Sequence, residues 1–508
     1  MSSDSEDNFM EEDSDYEFDS DGSDMDYEEP NDLAFAEVSD KKPKKAYEVD
    51  FSVQSLQDIK AAQANAISHV AGILGLSQDK AAQLLRSFKW NKERLVERYM
   101  DSSEDVLKEA CIVLDDTKTT SYVGKPRPGF TCSICFDDTP SKVVGLRCSH
   151  LFCFDCYRHY LTQKIVEEGE CRRILCPESG CSIIVDQPTV QKIVEPKILE
   201  RFRQLLDRAY VEDLDNLRWC PAPNCENAVD CRLPHSTFDT VVPTVQCACG
   251  NKFCFGCGLG DHQPAPCQLV KLWQKKCADD SETANWISAH TKECGKCQST
   301  IEKNGGCNHM TCRKCKYEFC WVCMGPWSEH GTSWYNCNRY EEVSSTDARD
   351  AQAKSRASLE RYLHYYNRFA NHEQSAKLDR DLYNKTEKKM EEMQRTSDLS
   401  WIEVQFLKKA VDVLTSCRMT LRWTYAFAFY LVKDNMTELF EDNQRDLEVA
   451  VEALSELLEK PIEREKIAEL RQQVLDKTVY VDSRREVLLE DTAKGLGEDR
   501  WEFSFKRT

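Results

Sequence analysis

A multidomain fold, with small zinc-stabilised α+β modules flanked by a helical N-terminal domain and an all-α C-terminal domain, is predicted by three features of the 508-residue sequence. Most of its 27 cysteines fall into tight pairs interleaved with histidines between Cys132 and Cys337, the spacing of tetrahedral zinc sites. Ahead of them, apolar residues recur at helical intervals. Behind them, Thr332 to Lys494 contains no glycine and only Pro461, so long helices with few enforced turns are expected. A single core rarely grows beyond about 250 residues, so several domains are required.

Composition narrows the function classes. The formal charge of −21 argues against a general nucleic-acid surface, where a basic patch is expected. The longest strongly apolar run, Trp423 to Val432, has ten residues, whereas a membrane span needs about 20; it reads as a buried helix. The N-terminus carries neither the charged nor the apolar region of a signal peptide, so the cysteines are expected reduced, in a cytoplasmic protein.

Taken in order, residues 1–32 hold fifteen acidic residues among serines and cannot bury enough apolar area to fold. Lys41, Lys42, Lys44 and Lys45 follow in KKPKK, which reads as a solvated linker or a nuclear-import signal. From Ser52 to Met100 the pattern is helical: Ile67, Val70, Ile73 and Leu74 share a face, and Ser77 and Asn91 are N-cap candidates for two shorter helices carrying Leu84, Leu85, Leu95 and Tyr99. Three short helices ending in SFKWNKERLVERY resemble a ubiquitin-associated-like (UBA-like) domain.

The first cysteine-rich module reads Cys132-x2-Cys135, Cys148-x-His150-x2-Cys153-x2-Cys156 and Cys176-x4-Cys181. Eight ligands in this order fit a RING, whose pattern implies that the first and third pairs share one zinc and the second and fourth the other. A helical segment with Ile198, Phe202, Leu205, Leu206 and Ala209 on one face leads to a second module: Cys220-x4-Cys225, Cys247-x-Cys249-x4-Cys254-x2-Cys257, His262 and Cys267. A further helical linker, Gln268 to His290, carries Leu269, Leu272, Trp273 and Trp286.

The third module, Cys294 to Cys337, contains eight cysteines and His330, one ligand more than two tetrahedral zincs need. Cys294, Cys297, Cys312 and Cys315 are assigned to one zinc, and Cys320, Cys323, His330 and Cys337 to the other. Cys307 is then spare. It sits in GGCNH, two residues before His309, and a thiol beside a base is a candidate nucleophile. Spacing equally permits Cys307 and Cys312 as a pair, with Cys315 spare. Cys111, Cys171, Cys231, Cys277 and Cys417 lie outside any ligand pair and read as plain thiols. In the C-terminal region, Leu359, Tyr362, Leu363 and Tyr366, then Trp401, Val404, Leu407, Val411 and Leu414, then Leu447, Val451, Leu454 and Leu458 mark packed helices.

With these motifs in order, together with WCPAPNC, DDSETANWI, TIEKNGGCNHMTC, FCWVCMGPW, WYNCNRY and SWIEVQFLKKAVDVL, the chain resembles the RING-between-RING (RBR) E3 ubiquitin ligases of the Ariadne family. The resemblance runs from about residue 52 to the C-terminus. It divides the chain into an acidic disordered tail (1–50), a UBA-like three-helix domain (51–101), RING1 (128–186), a helical linker (187–215) and an in-between-RING (IBR) domain (216–268). A second helical linker (269–290), RING2 or Rcat (291–339) and a helical Ariadne domain (340–508) complete it.

The resemblance implies that RING1 recruits a ubiquitin-conjugating enzyme (E2) charged with ubiquitin through Ile134, and that ubiquitin passes by transthiolation to Cys307 and then to a substrate lysine. It further implies that His309 is the general base, with Glu318 supporting it, and that six structural Zn2+ ions are bound. The Ariadne domain would mask Cys307, with Asp379 and Glu452 near the contact and Leu378 beside them. The UBA-like domain would bind a neddylated cullin-RING ligase. Cys312 and Cys315 are only two residues apart, a shorter spacing than is usual in the family. The competing reading is a non-catalytic zinc adaptor that recruits E2 for a partner ligase.

Overall fold

The computed structural model describes residues 44–112, 121–279, 291–303, 305–330, 337, 339–340, 351–396, 405–460 and 467–505. Trp286, Trp401 and Val404 lie outside them, as does the His330 side chain. Residues from Lys45 onward cluster as one unit, separate from Met1–Lys44.

After a short strand β1 (Ser52–Gln54), helix α1 (Leu56–Leu74) starts at a capping box, in which the Ser55 hydroxyl accepts from the Asp58 amide and the Asp58 carboxylate accepts from the Ser55 amide at 2.9 Å. It stops at Gly75 in the left-handed conformation. Helices α2 (Gln78–Ser87) and α3 (Lys92–Asp101) follow; Asn91 caps α3 with its side chain, whereas Ser77 caps α2 by backbone conformation alone. Leu84, Leu85, Leu95 and Val70 are fully buried, but Ile73 is exposed, because the core face of α1 runs through Ile59, Ala66 and Val70. A fourth helix, α4 (Ser103–Glu109), continues beyond the predicted bundle and adds Val106 and Leu107 to the same core.

The first cysteine-rich module is built on an antiparallel sheet, β2 (Ser121–Gly124), β3 (Val143–Leu146) and β4 (Leu151–Cys153), followed by α5 (Phe154–Thr162). Helix α6 (Gln187–Ile193) and the longer α7 (Pro196–Asp213) then pack Phe202, Leu205, Leu206 and Ala209 against it. In the second module β5 (Leu217–Trp219) and β6 (Ala228–Asp230) are joined by β1, giving the order β1-β6-β5, and β7 (Thr244–Gln246) pairs with β8 (Lys252–Cys254). This differs from the sequence reading, which left residues 45–50 in the tail and β1 in the UBA-like domain. Val49 and Val53 pack with the second module because alternating apolar residues suit a sheet edge.

Helix α8 (Cys267–Asp279) buries Trp273 against the C-terminal domain. The third module holds two hairpins, β9 (Thr291–Glu293) with β10 (Thr300–Glu302), and β11 (His309–Thr311) with β12 (Glu318–Cys320). Among the described residues the C-terminal domain has four long helices: α9 (Ala351–Thr396), α10 (Phe406–Tyr430), α11 (Asn435–Glu459) and α12 (Ile467–Gly497). Leu407, Val411, Leu414, Leu447, Val451, Leu454 and Leu458 share one core, while Leu359 of the first predicted stripe is exposed. The apolar run from Trp423 is the buried end of α10, and no described helix is long and apolar enough to cross a membrane.

Candidate active site and metal centres

The predicted ligand pairs meet in space. Cys132, Cys135, Cys153 and Cys156 form one group within 4.8 Å, and Cys148, His150, Cys176 and Cys181 a second, the cross-braced arrangement of first with third pair and second with fourth. The second module gathers Cys220, Cys225, Cys247 and Cys249, then Cys254, Cys257, His262 and Cys267; the third gathers Cys294, Cys297, Cys312 and Cys315. Cys315 is therefore inside the group and Cys307 is not among its ligand atoms. Cys320 lies within hydrogen-bonding reach of Cys323 and Cys337.

The donors fit a tetrahedral thiolate site. With metal–sulfur bonds of about 2.3 Å, sulfurs at tetrahedral corners stand about 3.8 Å apart. The Sγ atoms of Cys294 and Cys315 are 3.6 Å apart, those of Cys297 and Cys312 3.7 Å, and those of Cys220 and Cys249 3.7 Å. His262 directs Nε2 at the thiols because its Nδ1 is held by the Ala265 carbonyl at 2.7 Å.

Local backbone explains why CxxC suffices. The residue after the second cysteine turns left-handed in five such pairs, at Phe136, Gly258, Gln298, Lys316 and Met324, and its amide donates back to the carbonyl of the first cysteine at 2.8 to 2.9 Å. The short Cys312-x2-Cys315 spacing is one of these knuckles, closed by the Lys316 amide on Cys312.

Cys307 sits at the seam between the third module and the C-terminal domain, 6% exposed. Its own amide donates to the Glu459 carboxylate, and the His309 amide donates to its Sγ at 3.4 Å. Next to it, the Asn308 amide and Nδ2 donate to Glu452 at 2.7 and 3.1 Å. Gly306 allows this approach, because a Cβ there would lie 2.5 Å from Asp379 Oδ1 and 2.7 Å from Arg418 Nη2. Fully buried Arg418 donates to Asp379 at 2.7 Å, to Glu452 at 3.1 Å and to Ser455 at 3.0 Å, fixing both carboxylates.

From the third module, buried Lys303 reaches Asn308 Oδ1 at 3.0 Å, and Asn371 Oδ1 and Ser375 Oγ of α9 at 2.9 Å each. Burial lowers its pKa to about 8. Burial, then the charge of Glu452, pushes the Cys307 thiol well above its ordinary range. A cavity of about 700 Å³ opens beside Cys307 and is lined by His309, Met310, Leu378, Lys385 and Glu459. The hydrogen-bonded contacts over the Cys307 loop are polar, and the apolar clusters of the described residues draw on none between 291 and 339, although Trp321 and Val322 line a second cavity with Tyr366 and Ala370 of α9.

His309 stacks on Trp327 at 4.2 Å, and its Nε2 is 3.5 Å from Glu318 Oε2. The β11–β12 register pairs His309 with Cys320 and Thr311 with Glu318, so His309 and Glu318 are diagonal neighbours on one sheet face. Ile134 is 47% exposed on the knuckle between Cys132 and Cys135, beside the more exposed Phe136.

The residues missed by sequence reasoning are Lys303, Asn308, Asn371, Ser375, Arg418 and Glu459. One signal was available for Arg418, a charged residue on the face of Val411, Leu414 and Leu421.

Paired metal groups on a RING, a second cysteine-rich module and a third with a spare thiol under a helical domain define the class of RBR E3 ubiquitin ligases. Family models agree: a C3HC4-type zinc finger (RING finger) matches residues 132–178, an IBR domain, a half RING-finger domain, 200–267, and an IBR domain 289–337. The Ariadne domain matches 360–490, and the UBA-like domain of E3 ubiquitin-protein ligase ARIH1 matches 61–101. The chain is 57% identical over 464 residues to the E3 ubiquitin-protein ligase dbl4 of Schizosaccharomyces pombe, covering 91% of each chain. Human E3 ubiquitin-protein ligase ARIH1 is 48% identical over 83% of this chain and 76% of its own, and Drosophila melanogaster E3 ubiquitin-protein ligase ariadne-1 is 46% identical over 89% and 90%. The chain belongs to the Ariadne family of RBR E3 ubiquitin ligases.

Proposed function

We propose that this ligase transfers ubiquitin through a thioester on Cys307. The Cys307 thiolate attacks the carbonyl that joins ubiquitin to the E2 cysteine; the new C–S bond forms as the old one breaks and the E2 sulfur leaves as thiolate. A substrate lysine amine then attacks the Cys307 thioester, forming the amide and releasing the Cys307 thiolate, while His309, steadied by Glu318, accepts the amine proton. Ile134 contributes the apolar contact that seats the E2 on RING1. Six zinc ions, one for each ligand group, hold the modules, with His330 completing the last group.

The observation that carries this reading is a thiol outside the Cys294 metal group, two residues from a carboxylate-paired imidazole and facing a cavity. Its burial under Glu452 and Glu459 supports a resting form in which the Ariadne domain masks it. The thiol is then both covered and protonated, and lifting the domain restores access and an ordinary thiol pKa of about 8.5. A ubiquitin-like protein on a cullin, bound by the UBA-like domain, would shift the population towards the open form. Reduced metal-binding thiols suit a cytoplasmic enzyme.

Burial of Cys307 equally fits an adaptor that leaves the thiol idle, and Cys307→Ala separates the two. The variant is expected to retain six zincs by elemental analysis and to lose the ubiquitin adduct that reducing agent removes. Unchanged transfer would favour the adaptor, and loss of one zinc would make Cys307 a ligand.

A further inference from the structure

The segment ahead of α1, Lys45–Gln54, touches two domains in succession. At its start Lys45 pairs with Glu486 of α12, and the Ala46 amide donates to Glu490 Oε2 at 2.7 Å. Tyr47 then packs on the core shared by α10, α11 and α12, while its carbonyl accepts from Gln263 Nε2 of the IBR module at 2.9 Å. Gln263 is itself buried and also donates to the Val242 carbonyl at 3.2 Å. Two residues on, Val49 is buried in the IBR core, and Ser52–Gln54 then extends the IBR sheet, Ser52 opposite Asp230 and Gln54 opposite Ala228. Ser55, the next residue, is the N-cap of α1.

We propose that Lys45–Gln54 is a strap that fastens the Ariadne domain to the IBR module and thereby helps to keep Cys307 covered; this rests on the masking reading above. The strap grips α12, whose Val481, Leu488 and Leu489 share a core with Leu447, Val451 and Leu454 of α11. Helix α11 carries Glu452 and Glu459, the carboxylates over the Cys307 loop. Close-packed helices move together, so a hold on α12 is a hold on the mask. At the other end no loop separates the strap from the UBA-like domain. A displacement of α1 therefore pulls on β1 directly, which makes the strap the mechanical link between the UBA-like domain and the mask.

The test is single-turnover discharge of an E2~ubiquitin thioester by the full, zinc-loaded chain. Glu490→Ala removes a charge-assisted hydrogen bond and is expected to speed discharge about tenfold. Lys45→Glu and Glu486→Lys each replace a partly exposed attraction with repulsion and should speed it about threefold, and the double variant should return to the wild-type rate. Glu452→Ala, which acts on the mask directly, is run beside them. If Glu452→Ala accelerates discharge while the strap variants match wild type, the strap is refuted and masking stands. If Glu452→Ala also fails to accelerate discharge, masking falls and the strap with it.

Discussion

On the masking of Cys307 proposed above, Glu452→Ala should shift the ligase from the closed form to the open one. The Glu452 carboxylate is buried and accepts two bonds from Asn308, at 2.7 and 3.1 Å, across the seam. Bonds to a charged group contribute about 1.5 kcal/mol or more each, so their loss weakens closure by about 3 kcal/mol. At about 1.4 kcal/mol per decade, the open-to-closed ratio rises about 100-fold. The third bond, from Arg418 at 3.1 Å, lies within the Ariadne domain and does not cross the seam. Its loss lowers domain stability instead. Arg418 keeps Asp379 and Ser455, so the domain should remain folded with a lower melting temperature. Two measurements read the opening: the alkylation rate of Cys307, followed by mass spectrometry of its peptide, and E2~ubiquitin discharge. A folded, metal-loaded Glu452→Ala protein that labels and discharges at wild-type rates would refute the reasoning.

Gly306→Ala should open the same seam from the other side, because the added Cβ meets Asp379 and Arg418 only when the domain is closed; discharge should rise about tenfold or more, with no further gain in a Glu452→Ala background. Cys307 labelling should also report pH. Burial and Glu452 raise the thiol in the closed form, so above the ordinary thiol pKa of about 8.5 the open form releases a proton that the closed form keeps, and rising pH favours opening. Lys303 acts in the opposite sense: its closed-form pKa of about 8 means that above this value the closed form sheds a proton the open form retains. Labelling of a Lys303→Met variant should therefore rise more steeply from pH 8 to 10 than that of wild type, and equal slopes would contradict the assignment. Finally, Ile134→Ala should slow discharge about tenfold by weakening E2 docking, with zinc content and circular dichroism unchanged.

Ligand groups were legible in the sequence because a metal knuckle is local. Two residues between cysteines and a left-handed residue after them are enough to aim two sulfurs at one point, so Cys132-x2-Cys135 and Cys294-x2-Cys297 announce themselves. Helices were equally plain where apolar stripes repeat, as at Leu447, Val451, Leu454 and Leu458. What spacing could not settle was whether Cys307 or Cys315 is spare, since that depends on how two hairpins pack. The contact between the Cys307 loop and the C-terminal helices was harder still. Asp379 and Glu452 came from family resemblance, and Arg418, Lys303 and Asn371 were missed, because a buried polar residue on a helix looks like a solvated one until its partner is known. The pairing of Ser52–Gln54 with the second module was missed for a related reason: a three-residue strand is too short to show a period.

The polar seam over Cys307 also determines how its opening depends on temperature. An apolar seam would expose hydrocarbon when it parts, and that carries a large heat-capacity change. Here Lys303, Asn308, Asn371, Ser375, Glu452 and Glu459 exchange one another for water, and exposure of polar surface lowers heat capacity instead of raising it. A van't Hoff plot of the opening equilibrium should then be nearly straight. Opening would then proceed at a nearly constant enthalpy across the temperatures at which the ligase is folded, without the curvature that an apolar seam would impose.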